Sequence, residues 1–229
     1  MDNAVLINNI NKSYGKKQIF KDFSLSLPAG RVIGILGENG IGKTTLLKMI
    51  ADLAKPDSGT IEILGQEVSR HTRDLVSFLI ESSRFEDYMK VSDTIRYFED
   101  FFPDFDKSKA DELCRAFEIE TNYKLKNLSK GARERVCLML CLARRAQIYV
   151  LDEPMAGFDP KFKRDMVAAI LTHVEDDQTL IISTHMLRDM DSLFDEIIIL
   201  TENGAIIANA DEIRESGRSL EDYYMEVIG

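Results

Sequence analysis

The chain has no tryptophan, three cysteines, three histidines and five prolines among its 229 residues. Cys114, Cys137 and Cys141 are too few, and odd in number, for a disulfide framework, which fits a reducing compartment. Cys137 and Cys141 stand four apart and would share a helix face. No histidine or further cysteine accompanies them at metal-ligand spacing, so they read as small apolar core residues. No uninterrupted apolar run approaches the roughly 18–20 residues that span a bilayer. The opening MDNAVLINNINKSYGKKQ lacks a basic stretch followed by an apolar one, so no signal peptide is expected. Positive charge is in the minority: 29 Lys and Arg against 39 Asp and Glu leave a net charge of −10. That balance argues against a bulk nucleic-acid binder. Secreted and integral-membrane classes are disfavoured, while association with a membrane through a partner stays open. What is present, 45% hydrophobic and 30% charged residues, describes a globular chain long enough for a sizeable core.

The texture of the chain changes twice. Short apolar runs at 5–10, 19–27, 31–36, 60–64 and 76–80 read as strands. A helical pattern at 44–53 lies among them. From about Phe85 to Arg145 the pattern is helical, at 94–102, 107–117 and 132–144, so a helical subdomain is expected between strands. Its aromatic cluster, Tyr97, Phe98, Phe101, Phe102 and Phe105, reads as core, with part of it free to form a groove for a membrane partner. The strand–helix rhythm then returns, with strands at 147–151, 179–183, 196–200 and 205–208 and helices at 160–174 and 186–193. Alternating strands and helices predict an α/β fold around a mostly parallel sheet, with the N-terminal strands in a smaller antiparallel sheet.

Residues 37–44 read GENGIGKT, so Gly37, Gly42, Lys43 and Thr44 fill G-x-x-x-x-G-K-[ST] between a buried strand and a helix. Glycines permit positive φ and let backbone N–H groups turn toward phosphate oxygens, and the following helix points its positive end at them. Lys43 would reach the β and γ oxygens, and the Thr44 hydroxyl would ligate Mg²⁺. These four positions match by chance in about one chain in a hundred of this length. Far along the chain, the apolar strand IYVLDE ends in Asp152 and Glu153. In open α/β sheets such a strand delivers its acids to the edge where ligands bind. Asp152 would hold Mg²⁺ through water, and Glu153 would orient the attacking water.

A third segment, Leu128-Ser129-Lys130-Gly131-Ala132, precedes a long helix and resembles the LSGGQ signature of ABC-type ATPases. The other landmarks of that family follow in order: Tyr14 early, Phe158-Asp159-Pro160 after the acidic strand, and Ser183-Thr184-His185 after the next strand. The resemblance covers essentially the whole chain and is closest to the ATPase subunits of bacterial ABC-2-type exporters. It implies a P-loop NTPase (RecA-like) fold in one ABC ATPase domain, with a nucleotide-binding core at 1–84 and 146–229 and a helical signature subdomain at 85–145. It implies ATP bound by Tyr14, Gly37, Glu38, Asn39, Gly40, Ile41, Gly42, Lys43, Thr44 and Thr45. Catalysis falls to Lys43, Glu153 and the switch residue His185, and Mg²⁺ to Thr44, Asp152 and Glu81. Ser129, Lys130 and Gly131 would act on the nucleotide of a second subunit, and Asp159 would belong to the D-loop.

The resemblance further implies a partner ATPase subunit, itself or a related one, a separate transmembrane permease, and a place on the cytoplasmic face of the membrane, with no nucleic acid. Three positions depart from the family: Lys130 stands for Gly, Ala132 for Gln, and Glu81 for the Gln of the Q-loop. Two other readings stand beside the transport ATPase. One is a soluble ABC-type ATPase acting on a macromolecule. The other is a nucleotide-gated interaction module with low turnover, to which the three departures point.

Overall fold

The computed structural model describes residues 3–79, 85–155 and 157–229. Two sheets organise it. The smaller is four-stranded and antiparallel, in the order β2-β1-β4-β5, from β1 (Asn3–Tyr14), β2 (Lys17–Pro28), β4 (Ser58–Ile63) and β5 (Gln66–Glu67). The larger is six-stranded, in the order β10-β9-β3-β8-β7-β6. Its strands are β3 (Val32–Leu36), β6 (Val76–Phe78), β7 (Ile148–Asp152), β8 (Thr179–Ser183), β9 (Glu196–Thr201) and β10 (Gly204–Asn209). All its neighbours run parallel except the β9–β10 hairpin.

The sequence of each central strand explains why helices cover both faces. Successive side chains point to opposite faces of a sheet. Ile148 and Val150 of β7 join one apolar cluster, and Tyr149 and Leu151 join the other. The first cluster packs α1 (Lys43–Ile50) between the central sheet and the antiparallel sheet, through Leu46, Leu47, Met49 and Ile50. The second takes helices α2 (Val91–Phe101), α3 (Lys107–Ala116), α4 (Lys130–Leu142) and α5 (Pro160–His173) onto the opposite face.

Helix starts are written in the sequence. Asp106, Asp159, Asn209 and Ser219 cap α3, α5, α6 (Ala210–Glu215) and α7 (Leu220–Ile228), each accepting backbone N–H groups of its first turn. The two C-terminal helices are too short for a periodicity to announce them. The helix expected at 186–193 is instead two 3₁₀ turns, Leu187–Asp189 and Asp191–Leu193. Asp189 and Asp191 there make ion pairs with Lys163 and Arg214, which hold the segment against α5 and α6. The expected strand 76–80 is described as far as Leu79, whose N–H still reaches the Val150 carbonyl at 2.9 Å. Of the aromatic cluster, Phe98 is buried, while Tyr97 and Phe101 are exposed and stack on each other with centroids 4.4 Å apart. Burial of Cys114, Cys137 and Cys141 pushes their thiols up to about 11, 12 and 11, which makes them inert core residues.

Candidate functional site

One register row of the central sheet builds the site. Ile35 of β3 pairs with Ser183 of β8, and Ser183 pairs with Asp152 of β7. Parallel strands sit roughly 4.8 Å apart, so the loop after β3, the acids ending β7 and the residues after β8 leave the sheet side by side.

The loop after β3 turns on three glycines with positive φ, Gly37 (145°), Gly40 (82°) and Gly42 (121°). At Gly42 the lack of a side chain is also a packing requirement. A Cβ there would lie 2.6 Å from Ile19 Cγ2 and 2.8 Å from Phe20 Cζ, both on β2. The antiparallel sheet thus presses on the loop from outside. Gly42 is the N-cap of α1 and offers no side-chain cap, so the first N–H groups of α1 are left for a ligand. Lys43 is 7% exposed, and its ammonium donates to the Gly37 and Glu38 carbonyls at 2.7 and 3.1 Å. Thr44 is exposed at the loop's end, as are Glu38, Asn39 and Gly40 at its tip; Ile41 and Thr45 are half-buried.

Across the row, Asp152 Oδ1 accepts the Ser183 hydroxyl at 2.5 Å. Glu153 adopts a left-handed backbone, φ 49°, and its N–H donates to both Ser183 O (3.1 Å) and Ser183 Oγ (3.0 Å). Its carboxylate Oε2 lies 2.7 Å from His185 Nδ1. Thr44 and Asp152 contribute hard oxygen donors, and Mg²⁺ prefers one or two such protein ligands completed by water and phosphate. The residues therefore fit that ion. Glu81, the third expected ligand, lies outside the described residues.

Tyr14 ends β1 opposite Lys17 in the β1–β2 hairpin, and the Lys17 ammonium reaches the Gly40 carbonyl at 3.4 Å. The hairpin tip thus stands beside the phosphate loop, with the Tyr14 ring 52% exposed. The Lys12 ammonium lies 5.2 Å from the centre of that ring.

The signature residues form a separate group. Ser129 caps α4, its hydroxyl accepting the Ala132 N–H at 3.1 Å. Lys130, the first residue of α4, extends into solvent, 3.7 Å from Glu134. A Cβ on Gly131 would stand 3.9 Å from the Phe158 ring, and Arg135 of the same helix pairs with Asp159 at 3.2 Å. The Asp159 carboxyl is held below its ordinary value, chiefly by the Phe162 N–H it caps, with Lys161 N–H and Arg135 adding to it. Among the described residues no hydrogen bond or ion pair joins Ser129, Lys130 or Gly131 to residues 37–45.

Two residues of this architecture have roles that sequence reasoning did not assign. Arg135 ties the signature helix to Asp159 and also packs its guanidinium 4.0 Å from the centre of the Phe162 ring. Ser183, fully buried, braces both acids; its signal was a polar residue directly after the apolar run Leu180–Ile182.

A glycine-rich loop leaving the C-terminal edge of a mostly parallel sheet, on a strand neighbouring those that carry two acids and a histidine, is the arrangement of a nucleotide-binding α/β ATPase. The comparisons narrow the class. A family model described as ABC transporter matches residues 20–156. The ABC transporter ATP-binding protein YtrB of Bacillus subtilis is 30% identical over 213 residues, covering 91% of this chain and 73% of that protein. Nod factor export ATP-binding protein I of Burkholderia orbicola is 30% identical over 215 residues, covering 88% and 69%. A protein named for import, the sulfate/thiosulfate import ATP-binding protein CysA of Synechocystis, matches at a similar 31%. A solved structure of the ATP-binding subunit of an ABC transporter superposes with a TM-score of 0.86 at 21% identity, covering 99% of this chain and 100% of that one. The chain belongs to the ABC transporter family, as an ATP-binding subunit of its ATPase class.

Proposed function

We propose that the chain binds Mg-ATP on residues 37–45, hydrolyses it as half of a head-to-tail pair, and powers export through a separate transmembrane permease on the cytoplasmic face of the membrane. The partner ATPase is a second copy or a related subunit. The observation that carries this reading is the register row that sets the phosphate loop beside Asp152, Glu153 and His185. The family match supports the permease; export rests on the resemblance to exporter ATPases and on the likeness to Nod factor export ATP-binding protein I, with the sulfate/thiosulfate import relative at a similar identity pointing the other way.

Each residue has a role that its surroundings support. Lys43 already has its ammonium inside the loop, and exchanging two carbonyls for β and γ oxygens turns neutral acceptors into charged ones, which are stronger. The open N–H groups of α1 take the remaining phosphate charge. Tyr14 offers an exposed ring to the adenine. Thr44 and Asp152 would hold Mg²⁺, which neutralises charge on the phosphates when bound. Glu153 orients the attacking water, and His185, paired with its Oε2, fixes the carboxylate's direction. Ser129, Lys130 and Gly131 complete the partner's site. The Ser129 oxygen is spent on its own helix, but its hydroxyl proton and the first N–H groups of α4 remain free for a partner's phosphate. Arg135 makes Asp159 and the signature helix one block, and residues 85–145 act as the subdomain that carries it. The net charge of −10 makes a polyanionic nucleic acid an unsuitable partner.

The test mixes a Lys43→Ala chain with a Ser129→Arg chain. Each homodimer carries two spoiled sites, whereas a mixed dimer concentrates both lesions in one site and leaves the other intact. Phosphate release that recovers on mixing establishes the shared site. No recovery although mixed dimers form overturns it. Co-purification with an integral membrane protein supports the transport role; recovery with RNA instead would favour a macromolecule-directed ATPase.

A further inference from the structure

Ser183 has no assigned part in the chemistry, yet it touches both acids of the site. It ends β8, is fully buried, and pairs in register with Asp152. A serine hydroxyl has one donor and two acceptor positions. Its hydrogen can go only toward the acceptor-only carboxylate of Asp152, at 2.5 Å, and its oxygen accepts the Glu153 N–H at 3.0 Å. The two bonds therefore have a fixed sense, from Glu153 N–H to Ser183 to Asp152.

We propose that Ser183 is a positioning residue that sets both acids of the nucleotide site through one hydroxyl, engaging Asp152 Oδ1 and leaving Oδ2 available for the Mg²⁺ that Asp152 would hold. The proposal rests on the reading that Asp152 helps hold that ion. The engaged oxygen fixes the rotation of the carboxylate, since a free Asp side chain has a broad χ2. The second bond steadies the left-handed backbone of Glu153, a conformation that costs a non-glycine residue free energy and needs support from its surroundings. Groups that orient a metal ligand typically change metal affinity by about 10–100-fold when removed. A ligand acting through water should sit at the lower end of that range.

Ser183→Ala suits the test because it orphans no buried donor: the Glu153 N–H keeps the Ser183 carbonyl at 3.1 Å. ATP affinity is measured by calorimetry in excess EDTA and then across a Mg²⁺ series, for wild type, Ser183→Ala and Ser183→Thr. Each variant is its own reference, so a general loss of stability cancels. The expected result is an unchanged affinity in EDTA. The Mg²⁺ needed for half of the affinity gain should rise about tenfold in Ser183→Ala, and Ser183→Thr, which keeps the hydroxyl, should restore it. Equal Mg²⁺ requirements in wild type and Ser183→Ala overturn the proposal, as does a Thr variant no better than Ala. If wild type itself gains nothing from Mg²⁺, the failure belongs to the parent reading. Should Ser183→Ala not fold, Ser183→Cys keeps the volume with a weaker donor and carries the same readout, with the same outcomes.

Discussion

Two helix N-termini in this molecule look alike in charge and differ in how their first N–H groups are used. Neither α1 nor α4 has an acidic residue in its first turn. At α4, Ser129 supplies a cap from the chain itself. At α1, Gly42 supplies none, and the side chains of Ile19 and Phe20 on β2 crowd any larger residue there. A helix end whose chain withholds its own cap leaves its first N–H groups to a ligand, and the proposed phosphate cradle at α1 is such an end. A self-capped end can still serve a phosphate, but with fewer free donors. The third end, α5, is capped by Asp159 and has a carboxylate where an anion would have to sit, so it is structural within its own chain.

Substitutions at and around the two helix ends test this difference. The largest effect is expected where the α1 cradle meets its acids. Glu153→Gln should retain ATP binding and lower the hydrolysis rate by about 10²–10⁴-fold; phosphate release at the wild-type rate would remove Glu153 from its role. Next, Lys43→Ala should weaken ATP binding by roughly a hundredfold, since it deletes more than one charge-assisted bond. Unchanged affinity by calorimetry would show that α1 alone holds the phosphates.

Gly42→Ala attacks the cradle without touching charge. Positive φ and the crowding by Ile19 and Phe20 should cost about 1–3 kcal/mol in thermal or denaturant unfolding. Ser129→Ala should cost about 1 kcal/mol as a lost cap, and Ser129→Gly only a few tenths. If ATPase activity falls equally in both, the hydroxyl acts on nucleotide as well as on its helix; if activity follows stability, α4 is capped and nothing more.

The smallest effect concerns pH at α3, another self-capped end. The Ser108 hydroxyl and, after it, Arg145 hold the Asp106 carboxyl well below the usual carboxylate range. A depressed folded-state value means that its contribution is present above about pH 4 and is lost as pH falls further. Asp106→Asn, which keeps a cap but not the charge, should flatten the fall in stability below pH 4, as followed by circular dichroism. An unchanged acid profile would remove Asp106 from the acid response.

Much of this was legible in the chain. The alternating apolar runs placed both sheets, and GENGIGKT and IYVLDE placed the loop and the acids at strand ends. The segment after His185 was not legible as 3₁₀ turns, because its apolar spacing, Met186, Leu187, Met190 and Leu193, also suits a helix. What held it in turns were the distant partners Lys163 and Arg214. Tyr97 and Phe101 read as core for a related reason, since composition cannot say which side of α2 meets the other helices.

By itself the sequence determined the local chemistry: glycines where backbone must turn inward, caps where helices begin, and two acids after an apolar run. These follow from the conformational and hydrogen-bonding limits of individual residues and their near neighbours. Which distant residues meet was set by the packing of the whole chain. The register of β3, β8 and β7 brought Ser183 between Asp152 and Glu153 and set His185 on the Glu153 carboxylate. Strand order and register depend on how both faces of a sheet are buried, a property of the whole packed core that no short stretch of sequence contains.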